Sequence, residues 1–329
     1  MRIAVDAMGG DDAPKAVVHG AVQAATHLDG GIVLVGDPEA IKRCVNGPLP
    51  SNVDIHMATE VIGMDEKPME AIRKKKDSSL AVGVQLVKEG HAQAFLSAGN
   101  TGAVTAASLL SWRQIEGVHR PAIASPFPNH RGQFLLLDAG ASPDVDPIHL
   151  LEFAVMGRAY AESVMGRRDP KVHLLNIGEE PGKGNAFAKQ AYELLSGHEW
   201  FAGNIEGKDM FSQDCDVVVC DAFVGNIVLK TAEGVGEFIM DEIKASVPKG
   251  IGRLAFLPLK KALAPLRKKV DYAEYGGSPL LGLNGLCIIC HGRSNAKAIR
   301  NAIMIAATAL KNELVPSICK AISQEKKLD

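Results

Sequence analysis

The chain has 329 residues, of which 47% are hydrophobic and 22% are charged, so it is long enough to bury one large core or two smaller lobes. A formal net charge of -2 gives no overall basic field, which argues against nucleic acid as a partner. No apolar run of about 18 residues occurs, and the first residues, "MRIAVDAMGGDDAP", soon reach glycine and acidic side chains. We therefore expect no signal peptide and a cytoplasmic location.

Short apolar segments alternate with helical patterns along the chain. The predicted strands are "RIAVD", "GIVLVG", "VDIHM", "AQAFLSA", "AIASP", "QFLLLDAG", "KVHLLNIG", "CDVVVCDA" and "LCIICHG". The predicted helices cover residues 14–28, 78–89, 102–115, 147–165 and 185–195. Buried strands that alternate with helices indicate a mostly parallel sheet flanked by helices on both faces, so the predicted fold class is α/β.

No linker rich in Pro, Gly or Ser divides the chain, and residues 1–329 are predicted to form one domain, with two lobes sharing the sheet as the alternative. Residues 251–270 differ from the rest, because their leucines recur at helical spacing and their lysines and arginines mostly lie elsewhere around the helix. Pro258 and Pro265 make this helix short or kinked. The pattern predicts an amphipathic segment that contacts either a membrane surface or a second subunit.

The six cysteines are scattered through the chain, which favours reduced thiols over a disulfide framework. The segment "CIICH" at residues 287–291 matches the spacing of a haem attachment site, and its cysteines would also suit one half of a zinc site. However, its spacer is two isoleucines and no second Cys/His pair stands at ligand spacing. We interpret it as a buried strand with two thiols, and we predict no metal site and no cofactor.

Five of the predicted strands end in small polar loops rich in glycine. The candidate binding residues in these loops are Asp6, Gly9, Gly10, Ser97, Gly99, Asn100, Thr101, Gly102, Asp138, Lys183, Gly184, Asn185, Asp221, Gly225 and Asn226. Each loop alone could be a capped turn. Because ligands bind at the carboxyl ends of parallel strands, five such loops at one edge of one sheet predict a shared site for an anion, with Lys183 as its counter-charge.

Known phosphate and nucleophile motifs do not fit these loops. The segment "GEEPGKGN" has one residue too few for a P-loop and lacks its Ser or Thr, and no G-x-G-x-x-G follows a strand. No G-x-S-x-G elbow is present, and no cysteine stands in an electropositive loop. The sequence therefore indicates a site that positions reactants without bonding to them covalently.

Several longer motifs resemble those of one enzyme family, in the same order and over essentially the whole chain. They are "VDAMGGDDAP", "SAGNTGA", "RPAIA", "LLNIGEEPGKGN", "GNIEGKD", "DAFVGNIVLK" and "YGGSPLLGLNGLCIICHGRSN". The chain thereby resembles the bacterial phosphate acyltransferases of phospholipid synthesis, the PlsX family. Two positions depart from that pattern: Ser142 stands where Asn is usual, and Ala222 where Gly is usual.

The resemblance implies transfer of a fatty acyl group from acyl carrier protein to inorganic phosphate, and the acyl phosphate then serves a membrane glycerol-3-phosphate acyltransferase. It implies a fold similar to phosphotransacetylases and to isocitrate and isopropylmalate dehydrogenases, with a protruding amphipathic segment. It also implies a homodimer that associates peripherally with the inner face of the cell membrane. Acyl chain length and the order of substrate binding do not follow from it.

Site roles follow as hypotheses from this resemblance. Lys183 would hold the phosphate and Asn226 would donate to the thioester oxygen or the phosphate. Asn100 and Asn185, with the amides near Gly99, Gly102 and Gly184, would complete the cradle.

His291 is a candidate substrate contact, with a structural histidine as the alternative. The basic run at residues 73–76 is a candidate docking point for the carrier protein, or simply a solvated helix face. Two other functions stay open: a phosphotransacetylase-like enzyme that uses short acyl-coenzyme A, and a non-catalytic membrane scaffold for carrier protein.

Overall fold

The computed structural model describes residues 1–212, 214–246 and 272–326, so the amphipathic segment predicted at 251–270 lies outside the described residues. The strands are β1 Arg2–Asp6, β2 Gly31–Gly36, β3 Val53–Met57, β4 Ala94–Ser97, β5 Ala122–Ile123, β6 Ser125–Asn129, β7 Gly132–Leu137, β8 Val172–Asn176, β9 Phe201–Glu206, β10 Val217–Val219, β11 Ser278–Leu281 and β12 Leu286–Ile289. The helices are α1 Lys15–Ala25, α2 Pro38–Lys42, α3 Pro68–Lys74, α4 Ser79–Lys88, α5 Thr101–Trp112, α6 Pro147–Ser163, α7 Ala186–Leu195, α8 Ala222–Ala245, α9 Tyr272–Tyr275, α10 Ala296–Lys311 and α11 Leu314–Glu325.

The larger sheet has seven strands in the order β3-β2-β1-β4-β12-β11-β5. The first five of these strands are parallel, and β11 runs antiparallel to both β12 and β5. β1, β2 and β4 are buried almost throughout, as expected for parallel strands covered on both faces. The carboxyl ends of β1, β4 and β12 therefore lie side by side, which places Asp6, Ser97 and His291 at one edge.

The smaller sheet has five strands in the order β6-β7-β10-β8-β9. β7, β10, β8 and β9 are parallel, and β6 pairs antiparallel with β7 as an edge strand. This arrangement brings together the carboxyl ends of β7, β10 and β8, which are followed by Asp138, Asp221 and the loop that contains Lys183.

The predicted α/β class is confirmed, and each of the nine predicted strand segments and five predicted helices overlaps an observed element of that type. The expectation that all five polar loops share the edge of one sheet is wrong. Two of the loops belong to the larger sheet and three to the smaller one. The sequence pattern could not separate them because strand order depends on pairings between distant segments.

One hydrophobic core joins the two sheets. It includes apolar residues from β1, β2, β4 and β12 of the larger sheet and from β7, β8 and β10 of the smaller one, together with α1, α6, α10 and α11. α3, α4 and α5 cover the other face of the larger sheet, and α8 covers the other face of the smaller sheet. The same core therefore holds in place the strand ends of both sheets, where the polar loops begin.

Within the described part of the chain, no single helix is long and apolar enough to cross a membrane. α10 and α11 are long and apolar enough only when taken together, and the two helices are bent by 55° at the break between them.

Candidate active site

The loops after β1 and β4 form one connected unit. The Ser97 hydroxyl donates to Asp6 Oδ2 over 2.7 Å and accepts the backbone N–H of Gly99 over 3.0 Å. A Cβ at Gly9 would lie 2.5 Å from Asp6 Oδ2 and 2.8 Å from the Gly99 nitrogen, so the two loops touch through glycine backbone. Burial raises the pKa of Asp6, opposed by hydrogen bonds that include Ser79 and Ser97.

Asn100 has a side chain that is fully engaged in holding the backbone. Its Oδ1 accepts the N–H of Ala103 over 3.0 Å and so caps α5. Its Nδ2 lies within hydrogen-bond distance of three carbonyl oxygens, from Gly63 at 3.4 Å, Met64 at 2.8 Å and Glu66 at 2.9 Å. Asn100 thus fixes the loop at 63–66 against the start of α5, whose next residues, Thr101 and Gly102, are exposed.

Asp138 organises the loop that follows β7. Its fully buried carboxylate accepts backbone N–H groups from Ile123, Gly140 and Ala141 at 2.9 Å each, and from Ser142 at 2.8 Å. Burial raises the pKa of Asp138, while these four amides oppose the rise. The carboxylate therefore shapes this loop, and Gly140 is left at its outer side.

The start of α8 packs directly on that loop. Asp221 Oδ1 accepts the N–H of Val224 over 3.0 Å at the first turn of the helix. A Cβ at Gly225 would lie only 1.9 Å from the backbone oxygen of Asp138, so no other residue fits there without a shift of the helix. This close approach brings the Asn226 side chain within 3.8 Å of the position of a Cβ on Gly140.

A cavity of about 410 Å³ opens where the two sheets meet. Its wall includes Thr101 and Gly102 from the larger sheet's loops, and Gly140 and Asn226 from the smaller sheet's loops. The apolar or aromatic wall residues among those described include Ile123, Ala139, Leu229, Tyr275 and Ile289. A small polar end beside an apolar wall suits a ligand that carries both an anionic group and an acyl chain.

Among the described residues, the cavity wall also includes Lys230, Glu233 and His291. Lys230 Nζ lies 2.8 Å from Glu233 Oε2. His291 Nδ1 accepts the backbone N–H of Arg293 over 3.1 Å. Burial lowers the pKa of His291, and the nearby Lys230 lowers it further, whereas Glu233 raises it.

Lys230 and Glu233 were not predicted as site residues from the sequence. The signal was available, because Asn226, Lys230 and Glu233 are spaced to share one helix face, but residues 222–245 were not predicted to be a helix.

The fifth polar loop, which follows β8, does not line this cavity. Asn176 Nδ2 donates to the carbonyl of Lys183 over 3.2 Å and to Asn204 Oδ1 over 3.1 Å. Asn185 caps α7 by accepting the N–H of Ala188 over 2.8 Å. The Lys183 side chain is 48% exposed, with Nζ 3.7 Å from Glu180 Oε2. The structure thus places Thr101, Gly102, Asn226 and His291 around one cavity, with Lys183, Gly184 and Asn185 outside its wall.

The two family departures and the cysteine motif have local explanations. The Ser142 hydroxyl donates to the carbonyl of Pro121 over 2.8 Å, so it ties the Asp138 loop to the residue that precedes β5. Ala222 is buried at the first turn of α8. Cys287 and Cys290 are buried in and directly after β12, where burial raises the pKa of Cys287 to about 12. Their interpretation as buried strand thiols is confirmed.

Comparison with solved structures gives the class of this fold. The chain is similar to a phosphotransacetylase from Streptococcus pyogenes, with a TM-score of 0.62 and 18% identity over 94% of each chain. It is also similar to a branched-chain phosphotransacylase from Enterococcus faecalis V583, with a TM-score of 0.56 and 15% identity over 94% of this chain and 98% of that one. The phosphotransacetylase-like fold predicted from the sequence is therefore confirmed.

Sequence comparison then gives the family. The model described as "Fatty acid synthesis protein" matches residues 1–316. A phosphate acyltransferase from Desulfitobacterium hafniense (strain DSM 10664 / DCB-2) is 50% identical over 329 residues, covering 98% of both chains. One from Heliobacterium modesticaldum is 51% identical over 326 residues, covering 97% of this chain and 96% of its own. The chain belongs to this fatty acid synthesis family and is an acyltransferase, which confirms the resemblance drawn from its motifs.

Proposed function

We propose that this enzyme transfers a fatty acyl group from acyl carrier protein to inorganic phosphate. In this reaction a phosphate oxygen forms a bond to the thioester carbonyl carbon and the carbon–sulfur bond breaks. The products are an acyl phosphate and the free thiol of the carrier. A thiol with a pKa of about 8.5 is a good leaving group. The enzyme therefore mainly has to position phosphate and stabilise the oxyanion that develops at the thioester carbonyl.

The observation that carries this proposal is the mixed character of the cavity at the junction of the sheets. Asn226 and the backbone around Gly140 supply polar groups, and Leu229, Ile289 and Tyr275 supply an apolar or aromatic wall. A thioester carbonyl placed between these two parts would have hydrogen-bond donors on one side and room for its acyl chain on the other.

Lys183 and Asn226 keep the roles that the resemblance implies, as part of this proposal. Lys183 would hold the phosphate charge, and the loop that carries it follows β8, which is directly next to the strand that leads to Asn226. Because its ion pair with Glu180 is long and exposed, the Lys183 ammonium is free to exchange that partner for an anion. Asn226 would donate to the thioester oxygen or to phosphate.

The test is release of free carrier thiol from palmitoyl-acyl carrier protein, with and without inorganic phosphate. We expect phosphate-dependent release by the wild type and a loss of roughly a hundredfold or more in Lys183→Ala and Asn226→Ala. Lys189→Ala is the matched control, because Lys189 is an exposed lysine on the neighbouring α7, and it should retain wild-type rates. Near-normal turnover in a folded Lys183→Ala protein would contradict the role of that residue.

The phosphotransacetylase fold gives a specific reason to test a second donor. Phosphate-dependent release from acetyl-coenzyme A but not from the carrier protein would show a phosphotransacetylase-like enzyme that uses short acyl groups. Absence of release from both donors, in a protein that still binds vesicles and carrier protein, would instead favour the non-catalytic scaffold.

We further propose a cytoplasmic homodimer that associates with the inner face of the membrane and supplies acyl phosphate to a membrane glycerol-3-phosphate acyltransferase. Support for docking of an acidic carrier comes from the basic run at residues 73–76. The side chain of Lys74, at the end of α3, is 77% exposed, with Nζ 3.7 Å from Glu70 Oε2. Lys75 has a structural role in the same run, because it donates to the Val61 carbonyl over 2.7 Å and to Glu66 over 2.5 Å.

Membrane contact through residues 251–270 stays a prediction from the sequence. Flotation with vesicles that contain anionic lipid tests it, and the double variant Leu259→Glu, Leu263→Glu should no longer float. Unchanged flotation of this variant would assign membrane contact to another surface.

A further inference from the structure

One face of α8 carries a row of polar side chains into the cavity. Asn226, Lys230 and Glu233 follow one another at spacings of four and three residues, so they project from adjacent turns on the same side of the helix. All three line the cavity, whereas Leu229, between them in the sequence, contributes to its apolar wall. The helix therefore presents a polar row to the cavity that begins at Asn226, the proposed oxyanion donor, and ends at Glu233.

The row carries two opposite charges, one of them a lysine. Among the described residues that line the cavity, Lys230 is the one lysine or arginine. Its Nζ lies 2.8 Å from Glu233 Oε2, and the side chains of Lys230 and Glu233 are 54% and 24% exposed. Lys230 and Glu233 line the same cavity as His291. Lys183, by contrast, lies outside the cavity wall.

We propose that Lys230 is a phosphate-binding residue of this cavity, and that Glu233 positions its ammonium group while opposing the bound anion. The inference rests on the proposed function, because phosphate is the anion that the reaction requires. Lys230 would donate to a phosphate oxygen next to Asn226, one helical turn away. The carboxylate of Glu233 would repel the same dianion and so limit how tightly phosphate is held.

This arrangement predicts opposite effects for the two halves of one ion pair. Removing the ammonium removes a charge-assisted hydrogen bond to phosphate. In Glu233→Gln the amide oxygen can still accept a hydrogen bond from the ammonium and position it, while the charge that repels phosphate is gone. A pair that served only to stabilise α8 would give changes of the same sign, because either substitution weakens the same contact.

The experiment compares Lys230→Met, Lys230→Arg and Glu233→Gln with wild type. It measures KM for phosphate, KM for the acyl thioester, and phosphate binding without thioester by titration calorimetry. We expect Lys230→Met to raise the phosphate KM at least about tenfold, and Glu233→Gln to lower it about two- to fivefold. Lys230→Arg should stay closer to wild type, and the thioester KM should change less than about twofold in each variant.

Lys42→Met is the matched control, since Lys42 forms an exposed pair of the same spacing with Glu39 at 3.3 Å on α2. It should leave both KM values unchanged, and circular dichroism establishes that each variant is folded. An unchanged phosphate KM in Lys230→Met, or a rise in both Lys230→Met and Glu233→Gln, would overturn the inference.

Calorimetry separates this inference from the proposed reaction. A wild type that binds phosphate but releases no carrier thiol would contradict the proposed reaction. Loss of that binding in Lys230→Met would still support the phosphate site, and retained binding would overturn it. A wild type that binds no phosphate would overturn the site as well.

Discussion

At the scale of single residues, Gly225 decides how closely α8 approaches the smaller sheet. Glycine normally weakens a helix relative to alanine by about 1 kcal/mol. At Gly225 we expect the opposite sign, because an added methyl group would lie 1.9 Å from the backbone oxygen of Asp138. Gly225→Ala should lower the free energy of unfolding by at least about 2 kcal/mol and reduce activity, since the displaced helix carries Asn226.

Gly234→Ala is the control on the same helix. Among the described residues outside its own helix backbone, no atom lies within 4 Å of a Cβ at Gly234, so this change should raise the free energy of unfolding by about 0.5 to 1 kcal/mol. Urea denaturation of both variants measures the difference. If the two substitutions changed stability in the same direction, the close packing of α8 on the Asp138 loop would be contradicted.

Asn100 and Asn185 both cap helices but differ in what their Nδ2 groups meet. In Asn100→Asp the cap to Ala103 survives, yet an oxygen replaces the group that faces the carbonyls of Gly63, Met64 and Glu66. We expect a loss of roughly 2 to 3 kcal/mol in the free energy of unfolding. Asn185→Asp keeps an exposed cap and should stay within about 0.5 kcal/mol of wild type. Equal stabilities of the two variants in urea denaturation would contradict the structural role of the Asn100 Nδ2 group.

At the scale of elements, the sequence identified the middle strands of the smaller sheet better than its edges. In the larger sheet both edge strands, β3 and β5, were predicted, and the internal strand β11 was not. β7, β8 and β10 are apolar runs, and each was predicted. β6 and β9 were not predicted as separate strands, and they are the two edges of the smaller sheet. β6 has the sequence "SPFPN", and its two prolines are tolerated where one side of the strand needs no partner.

The site shows the same limit of sequence reasoning. The pattern identified Asn226 and His291, which line the cavity, but not Lys230 or Glu233. Loop glycines and asparagines stand out in a sequence, whereas a lysine and a glutamate in a helix look like an ordinary solvated pair. Only the packing of α8 against the sheets shows which side of that helix faces the cavity.

α8 also carries exposed apolar side chains that are not part of the cavity wall. Phe223 and Phe238 are 68% and 65% exposed, and Ile227 and Val235 between them are about half exposed. These positions recur at helical spacing, and an apolar stripe of this length suits burial against a second copy of the chain, as expected for the proposed homodimer.

We predict that Ile227→Glu and Phe238→Glu convert a dimer into a monomer, because each buries a charge in an apolar contact. Sedimentation velocity at micromolar protein measures the change. Leu110→Glu, at an exposed leucine of α5, should remain dimeric and controls for a general effect of added charge. A wild type that sediments as a monomer would contradict the dimer, and an unchanged Phe238→Glu would move its interface away from α8.

At the scale of the whole molecule, the functional cavity exists only because two sheets share one core. α1 and α10 pack against the larger sheet, α6 packs against the smaller one, and α11 packs on α6 to continue the same apolar layer. This scaffold fixes the N-terminus of α5 opposite the start of α8. A sequence reading finds both loops, but their juxtaposition depends on contacts across most of the chain's length, which local patterns do not contain.

This architecture predicts which backbone segments become protected from hydrogen exchange when phosphate binds. If phosphate binds between the sheets, hydrogen exchange should slow together in residues 99–104 of the larger sheet's loops and in residues 138–143 and 222–230 of the smaller sheet's loops. Exchange in residues 38–57, on α2 and β3 at the far edge of the larger sheet, should stay unchanged, which separates local binding from general stabilisation. Protection confined to 176–185 would place phosphate at the Lys183 loop alone. Protection of only one sheet's loops would contradict a binding site shared by both.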